Sequence, residues 1–240
     1  MLEIVRHTES DYAALAHIDA GETGKLSSDD VACLDELGNF LVESGLGERF
    51  GATLLHTHFP VRAGEVMIET VDRNRAETHL RPQEAPQEEM QPIHLRFTSE
   101  WARPIALEYA TGLDEVSPIG AQDEAALAGI FEILNRRRKT DRFGVRLLHN
   151  PLGVQETEML LETCDSSKRL LTNRAVASNR GESGDAIPTC FQWRPAADAQ
   201  PGQLTASRSV ATICNVVRGC LSRPDGGHET HSSHDPGRGI

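Results

Sequence analysis

The sequence predicts an α+β protein built from an internally duplicated helix–strand–strand–strand unit. The two copies are expected to sit about a pseudo-two-fold axis, as antiparallel sheets with helices on one face. Three observations lead there. The segment Arg49–Asp72 (RFGATLLHTHFPVRAGEVMIETVD) returns as Arg142–Asp165 (RFGVRLLHNPLGVQETEMLLETCD) at an offset of 93, without a gap and with 11 of 24 positions identical. Unrelated segments would share roughly one or two such positions, so one structural unit used twice explains the match. A helical pattern precedes each copy, and a further strand-like segment follows each.

The first helix is read from Val31, Leu34, Leu37 and Leu41, which fall on one stripe with Phe40 beside it. Ser27 and Ser28 offer an N-cap, Asp29 and Asp30 suit the first turn, and Gly45 and Gly47 stop the helix. The second is read from Ala126, Leu127, Ile130, Phe131 and Leu134, with Asp123 as the cap. It ends in the basic run Arg136–Lys139, where cations complement the helix dipole.

Two strands follow in each copy. Phe50–His56 and Phe143–His149 alternate, and Glu65–Asp72 and Glu158–Asp165 are rich in Val, Ile, Met and Leu. The eight-residue loops Thr57–Gly64 and Asn150–Thr157 predict that each pair closes as an antiparallel hairpin. Ile93–Ser99 and Ile187–Arg194 supply the third strand, with Pro92–Phe97 loosely matching Pro188–Trp193. Ile105–Ala110 reads as a strand between the units. Arg73–Gln91 and Ser178–Asp185 read as exposed loops. Leu204–Leu221 forms a last strand or helix, and the Gly, Ser, Pro and His-rich remainder a mobile tail. One compact domain results: 1–110 as the first repeat with an N-terminal extension, 111–200 as the second, and 201–240 as a C-terminal segment with a disordered His-rich tail.

With 38% hydrophobic and 25% charged residues, the chain can bury an ordinary globular core. The net charge of −12 argues against nucleic-acid or anionic-membrane partners, whose phosphates would repel it. The amino terminus lacks the basic and apolar regions of a signal peptide, and no apolar run approaches the ~20 residues of a membrane helix. Five irregularly spaced cysteines leave one thiol unpaired in any disulfide scheme, which suits a reducing cytoplasm.

Polar residues held by both copies include His56/His149, Glu65/Glu158, Glu69/Glu162 and Asp72/Asp165. Symmetric closure of the loops would set His56 opposite Glu65 and His149 opposite Glu158, as hairpin-closing pairs. His58 belongs to the first copy alone. Two histidines two apart on an extended segment point the same way and can share one metal ion. With Glu65 and Glu69 as carboxylate donors, His56, His58, Glu65 and Glu69 form a candidate site for zinc or iron. The His-x-His pair resembles that of cupins over His56 and His58 only. Glu65 follows His58 by seven positions, farther than in that family, and helix-bearing repeats do not suit a jelly roll, so the family is not assigned. The alternative for His58 is an ordinary surface turn. In the tail, His228, His231 and His234 follow Cys214 and Cys220, but their spacing matches no standard zinc module.

Phosphate loops, dinucleotide fingerprints and nucleophile elbows are missing from the sequence. Two function classes remain. One is a soluble intracellular binding or accessory protein, with a cleft between the repeats for a small molecule or protein partner. The other is a metal-dependent enzyme using a His-x-His plus carboxylate site.

Overall fold

Strand pairing closes this chain into a barrel. The computed structural model describes residues 2–18, 24–84, 90–98, 101–113, 116–178, 186–196 and 206–215. Its elements are β1 (Val5–Arg6), α1 (Glu9–Ala13), α2 (Ser28–Glu43), β2 (Phe50–Leu54), β3 (Glu65–Asp72), β4 (Glu77–Glu84), β5 (Gln91–Thr98) and β6 (Trp101–Ala110). A 3-10 turn (Ala121–Asp123) then leads into α3 (Glu124–Arg136), β7 (Phe143–Leu147), β8 (Glu158–Asp165), β9 (Leu170–Ala177), β10 (Ala186–Pro195) and β11 (Ala206–Asn215). The strand order is β6-β3-β4-β9-β8-β11-β10-β2-β7-β5, and β5 pairs back onto β6. Ten strands therefore form a closed ring, with β1 added alongside β6.

The expected α+β arrangement of antiparallel sheets with helices on one face is thus corrected to a β-barrel. Two strands account for the difference. β4 (ETHLRPQE) and β9 (LLTNRAVA) carry too little apolar alternation to stand out in the sequence, and β4 contains Pro82. Pro82 faces Met67 of β3, but β9 pairs with β4 only over Glu77–Leu80. Pro82 therefore lies beyond the stretch of β4 that is paired on both sides, where a proline is tolerated. With β4 and β9 in place the sheet closes, which removes its edges.

The expected hairpins are corrected too. Phe50–Leu54 does not pair with Glu65–Asp72. β2 pairs antiparallel with β7 and β10, whereas β3 forms its hairpin with β4. Arg73–Gln91, expected as loop, contains β4. The expected strand Ile93–Ser99 falls in β5 up to Thr98, Ile105–Ala110 and Ile187–Arg194 lie in β6 and β10, and Leu204–Leu221 contains β11. The His-rich tail falls outside the described residues.

Registers place positions 93 apart opposite each other at two points of the ring. Ala52 faces Val145 between β2 and β7, and His79 faces Thr172 between β4 and β9. The ladders also sort side chains into two faces. Ala52 aligns with Phe191 and Val145, and Leu95 aligns with Val145. This apolar face points outward to the helices: Phe97 packs on Phe131 of α3, and the Trp193 indole lies against Gly38 of α2 too closely for any Cβ there. Phe50, Phe143, Phe191 and Trp193 are all under 2% exposed or at that level, and each contributes roughly 1.5–3 kcal/mol by its burial. The opposite face lines the barrel interior, where Thr53, His94, Arg146 and Glu108 meet.

The helices are held by matching devices. Ser27 and Asp30 form a capping box at α2, with Asp30 N donating to Ser27 Oγ at 3.1 Å and Ser27 N to Asp30 Oδ2 at 3.0 Å. At α3 the Gly120 N–H donates to Asp123 Oδ2 at 2.9 Å. Arg49 then reaches Asp123 at 2.7 Å, and Lys139 reaches Asp30 at 2.7 Å with Arg142 at 3.7 Å. Each half thus ties down the helix start of the other. Arg136 and Arg137 both pair with Glu36 of α2, which gives the basic run its role. No helix among the described residues is long and apolar enough to cross a membrane.

Candidate metal centre

The loop after β2 turns inward rather than toward solvent. The Thr57 N–H donates to Ala16 O at 3.0 Å, and Phe59 and Val61 are buried. These anchors carry His56 and His58 into the barrel. His58 is 6% exposed, so it is not the surface turn residue that the sequence also allowed. The two rings meet edge to face, with centroids 4.5 Å apart.

The carboxylate beside them comes from β8. Glu162 Oε1 lies 3.0 Å from His58 Nε2 and 3.7 Å from His56 Nε2. The parallel ladder sets Cys214 of β11 directly beside Glu162. One ligand atom from each of His56, His58, Glu162 and Cys214 lies within 4.8 Å of all the others. A zinc ion with Zn–N and Zn–S bonds of about 2.0–2.3 Å fits inside such a set after small side-chain movements.

Two details orient the set toward a shared ligand. His56 Nδ1 is 2.7 Å from Leu54 O. A carbonyl only accepts, so the proton sits on Nδ1, and the neutral ring turns the Nε2 lone pair to the cluster. Moreover, His56 Nε2 and Glu162 Oε1 are both buried. Glu162 Oε1 keeps its ion pair with His58, so the buried atom left without a contact at hydrogen-bond distance is His56 Nε2, which faces that carboxylate at 3.7 Å.

The electrostatics are those of a carboxylate between imidazoles. Burial acts to raise the Glu162 pKa, but the attraction of His58 and His56 outweighs it and holds the carboxyl well below its usual range. Burial likewise acts to lower the pKa values of His56 and His58, and Glu162 reverses this so that both are raised. The site favours positive charge, which a divalent cation can supply.

The other sequence candidates stand elsewhere. Glu65 pairs with Arg169 of the β8–β9 turn at 2.9 Å and accepts from Arg62 N at 2.8 Å. Glu69 pairs with His149 and with Arg146 at 2.9 Å. The expected couples His56–Glu65 and His149–Glu158 are therefore replaced by His56–Glu162 and His149–Glu69, each crossing between halves. The structure joins the predicted His56 and His58 to Glu162, noted in the sequence only as the counterpart of Glu69, and to Cys214, noted only with the tail. The sign of their role is parallel pairing of β8 with β11, which no local pattern announces.

A cavity of about 800 Å³ opens beside this region, lined among others by Arg146, His149, Leu160, Cys190, Trp193 and Thr212. None of the four ligands lines it. Leu160 and Thr212 precede Glu162 and Cys214 by two residues on the same strand faces, so cavity and cluster are neighbours along β8 and β11. Burial pushes the Cys190 thiol up to about 11, which makes it a poor nucleophile.

No known family model matches this chain, and no curated protein or solved structure is similar to it.

Proposed function

We propose that this is a metal-binding protein whose barrel interior holds one zinc or iron ion through His56, His58, Glu162 and Cys214. The convergence of these four ligand atoms within 4.8 Å carries the reading. The donor set supports the choice of ion. Imidazole and thiolate suit zinc and iron better than magnesium or calcium, which prefer oxygen alone. Four protein ligands complete a tetrahedral zinc site, the arrangement of structural sites, whereas a six-coordinate iron would keep two positions for substrate.

The neighbouring cavity favours a ligand-binding role over a purely structural one, and an enzymatic role if the ion keeps an open position. The described cysteines Cys33, Cys164, Cys190 and Cys214 are buried and joined in no disulfide, which supports a cytoplasmic, reducing setting as part of the proposal. We also read the halves as copies of one duplicated unit, a reading supported by the 93-residue registers and the crossed Arg–Asp and His–Glu couples.

Elemental analysis of protein purified without a His-tag tests the proposal. One equivalent of zinc or iron is expected in the wild type, falling to background in His58→Ala and Glu162→Gln. Substoichiometric metal in the wild type, or equal metal in all three proteins, would overturn it.

A further inference from the structure

The interior holds a second carboxylate–imidazole couple, and its chemistry differs at three positions. Offset by 93, Glu69 corresponds to Glu162 and His149 to His56. The position of His58 is Pro151, and the register that sets Cys214 beside Glu162 sets Ala110 beside Glu69. Two of four ligands are therefore missing from the counterpart. The third difference is Arg146, which stands where the first half has Thr53.

Arg146 joins two carboxylates on that side. Nη2 donates to Glu69 Oε2 at 2.9 Å, and Nη1 to Glu108 Oε2 at 2.9 Å. Glu69 Oε1 contacts His149 Nε2, and Glu108 Oε1 lies 3.1 Å from His94 Nδ1. A single cation thus sits between two carboxylates, each backed by an imidazole. The side chains of Glu69 and His149 are each 4% exposed, so water does little to screen these charges.

We propose that the barrel is built around two cation positions, one for a metal ion and one filled by the guanidinium of Arg146. When the guanidinium is replaced by a small neutral side chain, Glu69, Glu108, His149 and His94 take up a divalent ion in its place. Two adjacent buried carboxylates cannot both stay ionised without a cation, and oxygen with imidazole donors suits zinc. This inference extends the metal reading of the first position, and the test separates the two.

Arg146→Thr makes the two halves alike at this position. Zinc titrations followed by calorimetry and elemental analysis are run on four proteins: wild type, His58→Ala, Arg146→Thr and the double variant. The expected stoichiometries are one, none, two and one equivalents. Zinc bound by Arg146→Thr and the double variant but not by wild type would sink the first site and leave this one standing. A folded Arg146→Thr that binds no more zinc than wild type would overturn the second position. Should Arg146→Thr fail to fold alone, circular dichroism of the double variant, which lacks the first site, with and without zinc decides. Folding restored by zinc supports the proposal, whereas a protein unfolded in both conditions while Arg146→Lys folds contradicts it.

Discussion

His149 pairs with Glu69, which lies 80 positions earlier in the chain, rather than with Glu158 at the far end of its own loop. The couple links the end of β7 to the middle of β3 through the barrel interior, so it joins the halves rather than closing a hairpin. Replacing His149 with alanine leaves Glu69 buried with Arg146 alone. We expect a cost of about 2–4 kcal/mol from the orphaned carboxylate and lost packing, with metal content unchanged. Urea unfolding and elemental analysis measure the two; a midpoint equal to wild type would show that the couple does not bear on stability.

How far the fold could be read from the chain depends on the side each residue faces. Helices α2 and α3 were legible because Leu34, Leu37 and Leu41, or Leu127, Ile130 and Leu134, repeat at helical spacing and are buried. The strands carrying Phe50, Phe143, Phe97 and Trp193 were legible from apolar residues at every second position. Their polar neighbours misled, because alternating strands normally turn polar residues to water. Here the apolar face meets the helices outside, and Thr53, His94, Arg146 and Glu162 face the barrel interior. The pairing of His56 and His58 was visible as a spacing. Their partners Glu162 and Cys214 were not, because parallel β8–β11 pairing brings together residues 52 apart in the chain.

Glu65 ties the start of β3 to the β8–β9 turn, and its pairing with Arg169 holds the carboxyl down to about 2 from a usual 4.5. A folded-state pKa below the unfolded value stabilises the fold above pH 4.5, and this contribution disappears as pH falls from 4.5 toward 2. Glu65→Gln should therefore be less stable than wild type at neutral pH, with the gap narrowing below pH 4.5. Urea midpoints from pH 7 to 3 follow the gap, and a gap that does not change with pH would contradict this role.

Arg138 ends α3 in the left-handed region at φ 56°, where the equivalent end of α2 uses Gly45 at 69°. Its side chain is exposed, so a change there acts through the backbone. Arg138→Gly should stabilise the protein by about 0.5–1 kcal/mol, because relief of the left-handed strain exceeds the added freedom of the unfolded chain. A lower urea midpoint in the variant would show the strain to be smaller than the entropy it offsets.

Cobalt(II) titration of the metal-stripped protein tests the four-ligand site most directly, because a thiolate bound to cobalt has its own near-ultraviolet charge-transfer absorption. If His56, His58, Glu162 and Cys214 hold one ion, that absorption rises to saturation at one equivalent, accompanied by the visible bands of a tetrahedral site. It then disappears in Cys214→Ser and in His58→Ala. Saturable binding without the thiolate absorption, an absorption that survives Cys214→Ser, or no saturable binding at all would contradict the site.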